Sequence, residues 1–349
     1  MNDISERTMA PLITVIIDTY NYGEFVADAI QSALNQTLPR DRYEIIVIDD
    51  GSQDDTRERI ARFLPEISYL YKQNGGQASA FNAGLALAKG EFVAFLDADD
   101  YWYPDKLATV LQEFARTESV DVVYHTLRMV DTEGRELGDY PKSFAHTITG
   151  NPLESFLAGK SPFISATSGI SCRLATLRKL LPIPEDFRIC ADGYLMMGMP
   201  FVARTFSTVE QPLGYYRMHG RNAWATSFLR EEHTAESKQL HLDITNLQLL
   251  HVERLAERFG HRSLKIFADL KLQNVSDEVL IEKMSGTRLN AFRLLLRKQK
   301  FLANVRAPHR LFKFCSVSLQ LLLPRQFFEK IRLAYTQTFF WTLVQRYVK

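Results

Sequence analysis

Apolar residues run almost unbroken through Leu12–Ile17, Tyr43–Ile48, Ile67–Tyr71 and Phe92–Leu96, and each run stops at polar or small residues. Short runs without polar alternation read as strands covered on both faces. Between the first two, Phe25, Val26, Ala29, Ile30, Ala33 and Leu34 repeat with the 3.6-residue period of a helix that buries one stripe. Asp54 or Asp55 can cap a second helix through Phe63, the turn Gln73-Asn74-Gly75-Gly76 follows the third run, and a helix over Gln77–Ala88 leads into the fourth. Strand and helix thus alternate four times within residues 11–115. This pattern predicts an α/β fold with a Rossmann-like, mostly parallel sheet flanked by helices.

The second and fourth runs end in acids, Asp49-Asp50 and Asp97-Ala98-Asp99-Asp100. Carboxyl ends of strands are where open α/β sheets bind ligands. If the extended geometry holds through Ala98, Asp97 and Asp99 point the same way. Carboxylates crowded like this repel one another and call for a cation. An all-oxygen ligand set, without His or Cys nearby in sequence, favours Mg²⁺ or Mn²⁺ over zinc.

Val15-Ile16-Ile17-Asp18-Thr19-Tyr20-Asn21, Val47-Ile48-Asp49-Asp50-Gly51-Ser52 and Phe95-Leu96-Asp97-Ala98-Asp99-Asp100 resemble, as a set, the three signatures of family 2 glycosyltransferases. Ala88-Lys89-Gly90-Glu91 and Pro104-Asp105-Lys106-Leu107 fit the same pattern. The resemblance is dense from Pro11 to Phe114 and thinner from Ser165 to Asn222. It implies a GT-A fold and inverting transfer of a single sugar from a nucleotide-diphosphate sugar, a UDP-sugar, to an acceptor hydroxyl. Surface polysaccharide or glycolipid assembly is the setting by analogy. By family position Asp100 is the metal ligand, Asp99 contacts the ribose and the metal, and Asp97 supports the donor-sugar or metal side. Asp50 would contact base or ribose, while Asp18 and Tyr20 would line the base pocket. Most members carry Pro where this chain has Asp18.

Such a reaction also needs a base for the acceptor hydroxyl. The family commonly places it as the Asp of a Glu-Asp pair opening a downstream helix. Arg188-Ile189-Cys190-Ala191-Asp192-Gly193 occupies that position, with Ala191 in place of the usual Glu, so Asp192 is the candidate base. The alternative is that Asp192 caps a helix running through Met196 to Ala203. Thr205–Val209 reads as a strand, and Gly214-Tyr215-Tyr216-Arg217-Met218-His219 resembles the family's Tyr-Arg-x-His segment. Arg217 is a candidate diphosphate contact, and His219 an extra metal or phosphate contact. Trp102 and Tyr103 could form a stacking platform for a sugar, or simply pack.

At 46% hydrophobic and 24% charged the chain is globular, and its 349 residues suffice for a catalytic domain plus an extension. The reading assigns 1–10 to a flexible tail, 11–225 to the catalytic domain (a nucleotide-sugar half to 115, then an acceptor half) and 226–349 to a helical extension. Three scattered cysteines give no disulfide or metal pattern and fit a reducing compartment. The net charge of +1 hides an asymmetry: residues 301–349 hold eight basic residues and one acid, with aromatic residues interleaved. That tail suits peripheral contact with anionic lipid on the inner face of the cell membrane, where a lipid-linked acceptor would lie, or else a packed helical cap. A cytoplasmic location, and no nucleic-acid partner, complete the expectation. Neither Gly-x-Gly-x-x-Gly after the first strand nor Gly-x-x-x-x-Gly-Lys-Ser/Thr occurs, which argues against a dinucleotide enzyme and a P-loop NTPase. Gln-x-x-Arg-Trp and long apolar spans, the marks of a processive synthase, are also missing. The remaining alternative is a non-catalytic nucleotide-sugar-binding protein of GT-A fold.

Overall fold

β1 (Ile13–Thr19) lies at the centre of the parallel half of the sheet, between β2 (Tyr43–Asp49) and β4 (Phe92–Asp97), and β3 (Ser68–Tyr71) extends it beyond β2. This computed structural model describes residues 10–140, 152–157, 166–222 and 235–261, together with Glu278 and Ile281. The continuous apolar character of these strands has a direct cause: both faces are covered. Ile13, Val15 and Ile17 on one face pack in a core with Val26, Ala29, Ile30 and Ala33 of α1 (Val26–Leu34) and with Leu107, Val110 and Phe114 of α4 (Lys106–Arg116). On the other face Ile46 and Ile48 meet Ala80 of α3 (Gln77–Leu87), and Phe81 tilts against Phe95 at 4.9 Å. Phe95 is fully buried, so Phe95→Ala is expected to cost about 3–5 kcal/mol. Asp54 accepts from both the amide and the hydroxyl of Thr56 at the start of α2 (Thr56–Ala61), so it serves that helix end from just outside it.

Beyond β4 the sheet becomes mixed. β8 (Ile170–Arg173) runs antiparallel to both β4 and β6 (Val120–Val130), and β9 (Thr205–Arg217) runs parallel to β6. The short β5 (Tyr101–Trp102) closes the order β3-β2-β1-β4-β8-β6-β9-β5, while β7 (Glu136–Asp139) pairs with β6. Helices α5 (Pro152–Leu157) and α6 (Leu174–Leu177) are short. The helix bearing Asp192, α7, spans Ala191–Gly198 and ends earlier than the sequence pattern predicts. Pro200 has no amide hydrogen to continue the ladder, and the chain tightens into a single 3₁₀ turn over Met199–Phe201. The strand after it is longer than expected and runs on to Arg217.

The chain divides into two compact units, Met1–Leu229 with Leu250–Arg262, and Arg230–Leu249 with Ser263–Lys349. In the second, the described residues are chiefly the first part of α8 (Ala235–Arg258). The expectations placed on 301–349 lie outside the described residues. Among the described residues no helix is long and apolar enough to cross a membrane.

Candidate active site

The fourth strand ends at Asp97, and the extended geometry does not continue through Ala98. The chain turns instead, with the Asp100 amide donating to the Asp97 carbonyl at 3.0 Å. The turn gathers three acids rather than aligning two. Asp97, Asp99 and Asp100 can each offer one oxygen, and these oxygens all lie within 4.8 Å of one another. Asp100 is fully buried and Asp99 nearly so.

A fourth carboxyl joins from the neighbouring strand, since Asp18 of β1 is the register partner of Asp97. Its Oδ1 is buried and has no hydrogen-bond partner among the described residues. Burial, with the charge of Asp99 next, pushes Asp18 up to about 7. Burial also raises Asp97 well above the ordinary carboxylate range, helped by Asp18, Asp99, Asp100 and Asp192. Asp100 is raised by burial and then by Asp99, against the opposing pull of its hydrogen bonds from Ser168 and Arg217. A buried group of acids held this close must share protons or take up a positive charge. The donor set is all oxygen, converges on one point and carries excess negative charge, so it fits a divalent cation.

The cluster is gripped from the second half of the sheet. Ser168 Oγ accepts from the Asp97 amide at 3.1 Å and donates to Asp100 Oδ2 at 2.6 Å. The Arg217 amide donates to Asp100 Oδ1 at 3.0 Å. The Arg217 guanidinium goes elsewhere: it pairs with Asp28 at 2.7 Å and lies over the rings of Phe25 and Tyr101. His219, just beyond β9, places Nε2 at 2.9 Å from Asp99 Oδ2 and stacks on Phe25 at 4.9 Å. Its Nδ1 accepts from the Arg221 amide at 3.2 Å, so the network assigns the ring hydrogen to Nε2, which donates to Asp99. In this arrangement His219 orients an acid of the cluster. Asn222 holds the bend, taking the His219 amide on Oδ1 at 2.6 Å and donating to the Arg217 carbonyl at 2.8 Å.

Asp192 lies in the first turn of α7 and does not occupy the capping position, which belongs to Cys190 in the left-handed region at φ 56°. Its Oδ1 accepts from the Gly193 amide at 2.9 Å, and burial raises it above the ordinary carboxylate range. Gln77 ties this helix to the cluster: its Nε2 donates to Asp97 Oδ1 at 3.3 Å and its Oε1 accepts from the Ala191 amide at 2.9 Å. The preceding turn approaches residues 187–188 closely. A Cβ on Gly76, at φ +89°, would stand 2.5 Å from the Arg188 Cα, so only glycine fits.

Asp50 is engaged on this same turn, accepting from Lys72 Nζ at 2.6 Å and from the amides of Gly75 and Gly76. Tyr20 is exposed at the end of β1. Trp102 is not a platform: it is buried, its indole N–H donates to the Ser168 carbonyl at 2.8 Å, and Lys106 Nζ covers its ring at 3.6 Å. Tyr103 packs edge-on against Tyr215 at 4.7 Å. Sequence reasoning missed Gln77, Ser168 and Asn222. Gln77, directly after Gly75-Gly76, carried a positional signal at a helix start, whereas Ser168 and Asn222 carried none.

A curled mixed sheet flanked by helices, with acids at the carboxyl edge of its parallel half, is the GT-A glycosyltransferase architecture. The profile of glycosyl transferase family 2 matches residues 14–181. An uncharacterised glycosyltransferase of Nostoc sp. is 34% identical over 240 residues, which cover 67% of this chain and 73% of that protein. Two uncharacterised Rickettsia glycosyltransferases and the hyaluronan synthase of Pasteurella multocida are 36 to 38% identical over 133 to 135 residues, and the chain spans 14 to 42% of their length. Among solved structures, S. aureus TarS (residues 1–349) with UDP-GlcNAc is 20% identical with a TM-score of 0.55, covering 87% of this chain and 90% of that one. A Pyrobaculum calidifontis mannosyltransferase with GDP-Man and Mn²⁺ is 18% identical with a TM-score of 0.50, covering 90% and 88%. The chain belongs to glycosyltransferase family 2 and is a transferase enzyme.

Proposed function

We propose that this enzyme moves one sugar, with inversion, from a UDP-sugar to an acceptor hydroxyl. The observation that supports the reading is the constellation itself: three convergent carboxylates at 97, 99 and 100, and beyond them and Asp18 a further acid, Asp192, carried by a different element, whose charge helps raise Asp97. Inversion needs that separation of roles, because the departing diphosphate and the attacking oxygen lie on opposite faces of the sugar. Asp97, Asp99 and Asp100 would hold Mg²⁺ or Mn²⁺. When bound, the ion supplies charge neutralisation for the leaving nucleoside diphosphate.

Asp192 takes the proton from the acceptor O–H. The acceptor oxygen bonds to the anomeric carbon as the bond to the phosphate oxygen breaks, and the electron pair leaves with the diphosphate. A carboxyl raised by burial suits this work, since a base poised nearer neutral pH accepts a proton more readily. Tyr20, exposed just after β1, would line the pocket for the base. Asp50 shapes the 72–76 turn beside it through Gly75 and Gly76. The UDP-GlcNAc complex of TarS and the GDP-Man and Mn²⁺ complex of the mannosyltransferase support a nucleotide-sugar donor and a divalent ion; the base proposed is uracil. A lipid-linked acceptor in surface polysaccharide or glycolipid assembly, approached by peripheral contact of 301–349 with the cytoplasmic face of the membrane, completes the proposal.

The test is a panel of nucleotide sugars scored for thermal protection with and without Mn²⁺. Protection by UDP-sugars that needs the metal is the expected result. Protection confined to GDP- or dTDP-sugars overturns the base, and protection indifferent to metal overturns the site.

A further inference from the structure

Asp100 is held on both oxygens, by the Arg217 amide on Oδ1 and by the Ser168 hydroxyl on Oδ2. The two bonds differ in kind. The first comes from the main chain of β9 and is set by the sheet. The second comes from a side chain, and at 2.6 Å it is the shorter. Ser168 is fully buried, and its hydroxyl is committed in both directions. It accepts the Asp97 amide, so its own hydrogen is left to point at Asp100. One hydroxyl therefore bridges the first and last acids of the cluster from a residue that lies 68 positions beyond Asp100.

Ser168 is itself anchored. It lies in the 3₁₀ turn Thr167–Gly169 that opens β8, and its carbonyl accepts the Trp102 indole N–H at 2.8 Å. Trp102 is fixed in turn by Lys106, whose amine sits 3.6 Å over the ring and 3.2 Å from Ser171 Oγ. Burial pushes Lys106 well below the ordinary lysine range, and no carboxylate partner offsets that cost in the contacts described for it. A buried lysine spent on an indole face is an expensive way to pack a core, which points to a demand for an immobile Trp102.

We propose that Ser168 is a positioning residue for the cation site: its hydroxyl sets the rotamer of Asp100 relative to Asp97, and Trp102 keeps that hydroxyl in place. The inference rests on the reading of Asp97, Asp99 and Asp100 as the cation ligands. Partners that orient ligating side chains typically contribute about 10–100-fold in metal affinity. The hydroxyl also supplies a hydrogen bond to an acid whose second oxygen is already occupied, so a carboxylate freed from it can rotate away from the shared focus.

The experiment titrates the intact protein with Mn²⁺ alone, following the free-ion signal by electron paramagnetic resonance, beside a melting curve for each variant. Ser168→Ala should raise the Mn²⁺ concentration for half-saturation by about tenfold or more. Trp102→Phe keeps the hydroxyl and the ring but loses the indole N–H, and it should give a smaller rise of a few-fold. Ser168→Thr, which retains a hydroxyl, should bind nearer to the native level than Ser168→Ala does. Native Mn²⁺ binding in a folded Ser168→Ala protein overturns the proposal. If Ser168→Ala does not fold, native binding in folded Trp102→Phe overturns it. Asp100→Ala is the control for the underlying reading: if that variant still binds Mn²⁺ normally, the ligand assignment fails; if it loses Mn²⁺ and Ser168→Ala does not, the positioning role alone fails.

Discussion

The main-chain amide of Arg217 donates to the carboxylate of Asp100 across 117 positions of sequence, at 3.0 Å. An acid that follows the last strand of the parallel half is thus oriented by the last strand of the mixed half. The Arg217 side chain turns away from it toward Asp28. Residue 217 consequently serves the cluster through a group that any non-proline residue possesses. Arg217→Ala should leave Mn²⁺ binding within a few-fold of native and cost stability through the lost Asp28 pair and the ring contacts. A large fall in donor affinity in that variant would instead show the guanidinium swinging onto the diphosphate.

Asp100→Ala removes the most buried member of the cluster. Turnover should fall by more than two orders of magnitude, since the charge stabilisation of the leaving group is lost. In the metal-free protein stability should change little, because the repulsion relieved among the crowded acids is set against two buried donors, the Ser168 hydroxyl and the Arg217 amide, left without their acceptor. Steady-state release of nucleoside diphosphate and a melting curve check the two halves of this prediction.

Asp192→Asn keeps the size and the Gly193 hydrogen bond of the candidate base and removes its proton affinity. The expected result is a fall in kcat of about two or more orders of magnitude with little change in UDP affinity. Weakened UDP binding with normal turnover at saturation would move Asp192 from the acceptor to the donor.

His219 can be assigned by two substitutions. Gln retains an N–H that can reach Asp99, and Phe retains only the stacking on Phe25. If His219 orients Asp99, His219→Phe should lose about tenfold in Mn²⁺ affinity and His219→Gln much less. Equal losses in both would make the ring nitrogen a ligand.

His125, which hydrogen-bonds to the Ser168 backbone behind the acidic cluster, gives a pH dependence of its own. Burial lowers it to about 3 from an ordinary 6.5, with the nearby Lys106 adding to the effect. A depressed value means that the folded state holds the neutral ring. The stability it contributes is complete above pH 6.5 and is lost as pH falls toward 3, at about 1.4 kcal/mol per unit. Between pH 7.5 and 5, His125→Gln should therefore lose about 2 kcal/mol less than the native protein in urea unfolding. Parallel losses in the two proteins would contradict it.

The 301–349 segment makes its own prediction through its charge. Intact enzyme should sediment with vesicles containing anionic lipid at low salt and be released as salt is raised, because each basic residue near such a surface contributes about 1 kcal/mol that ions screen. Indifference to vesicles at low salt would leave the packed-cap alternative.

Local pattern was enough for the parallel half. Strands covered on both faces must be apolar throughout, so β1, β2 and β4 announce themselves in sequence, and the acids that end two of them mark the ligand-binding edge. Asp97, Asp99 and Asp100 were visible because carboxylates at a strand end break an apolar pattern, whereas Asp18 and Asp192 were singled out only by the family resemblance. Their meeting was not visible. Whether Asp97 and Asp99 align depends on where β4 stops, and a turn bonded from Asp100 to the Asp97 carbonyl stops it at Asp97 and turns a pair into a triad. The roles of Ser168, Gln77 and the Arg217 amide were decided by tertiary structure alone. A serine, a glutamine and a backbone N–H have no distinctive pattern in a chain; they acquire a function only when β8, α3 and β9 are brought to one edge, where buried acids need donors and few others are within reach.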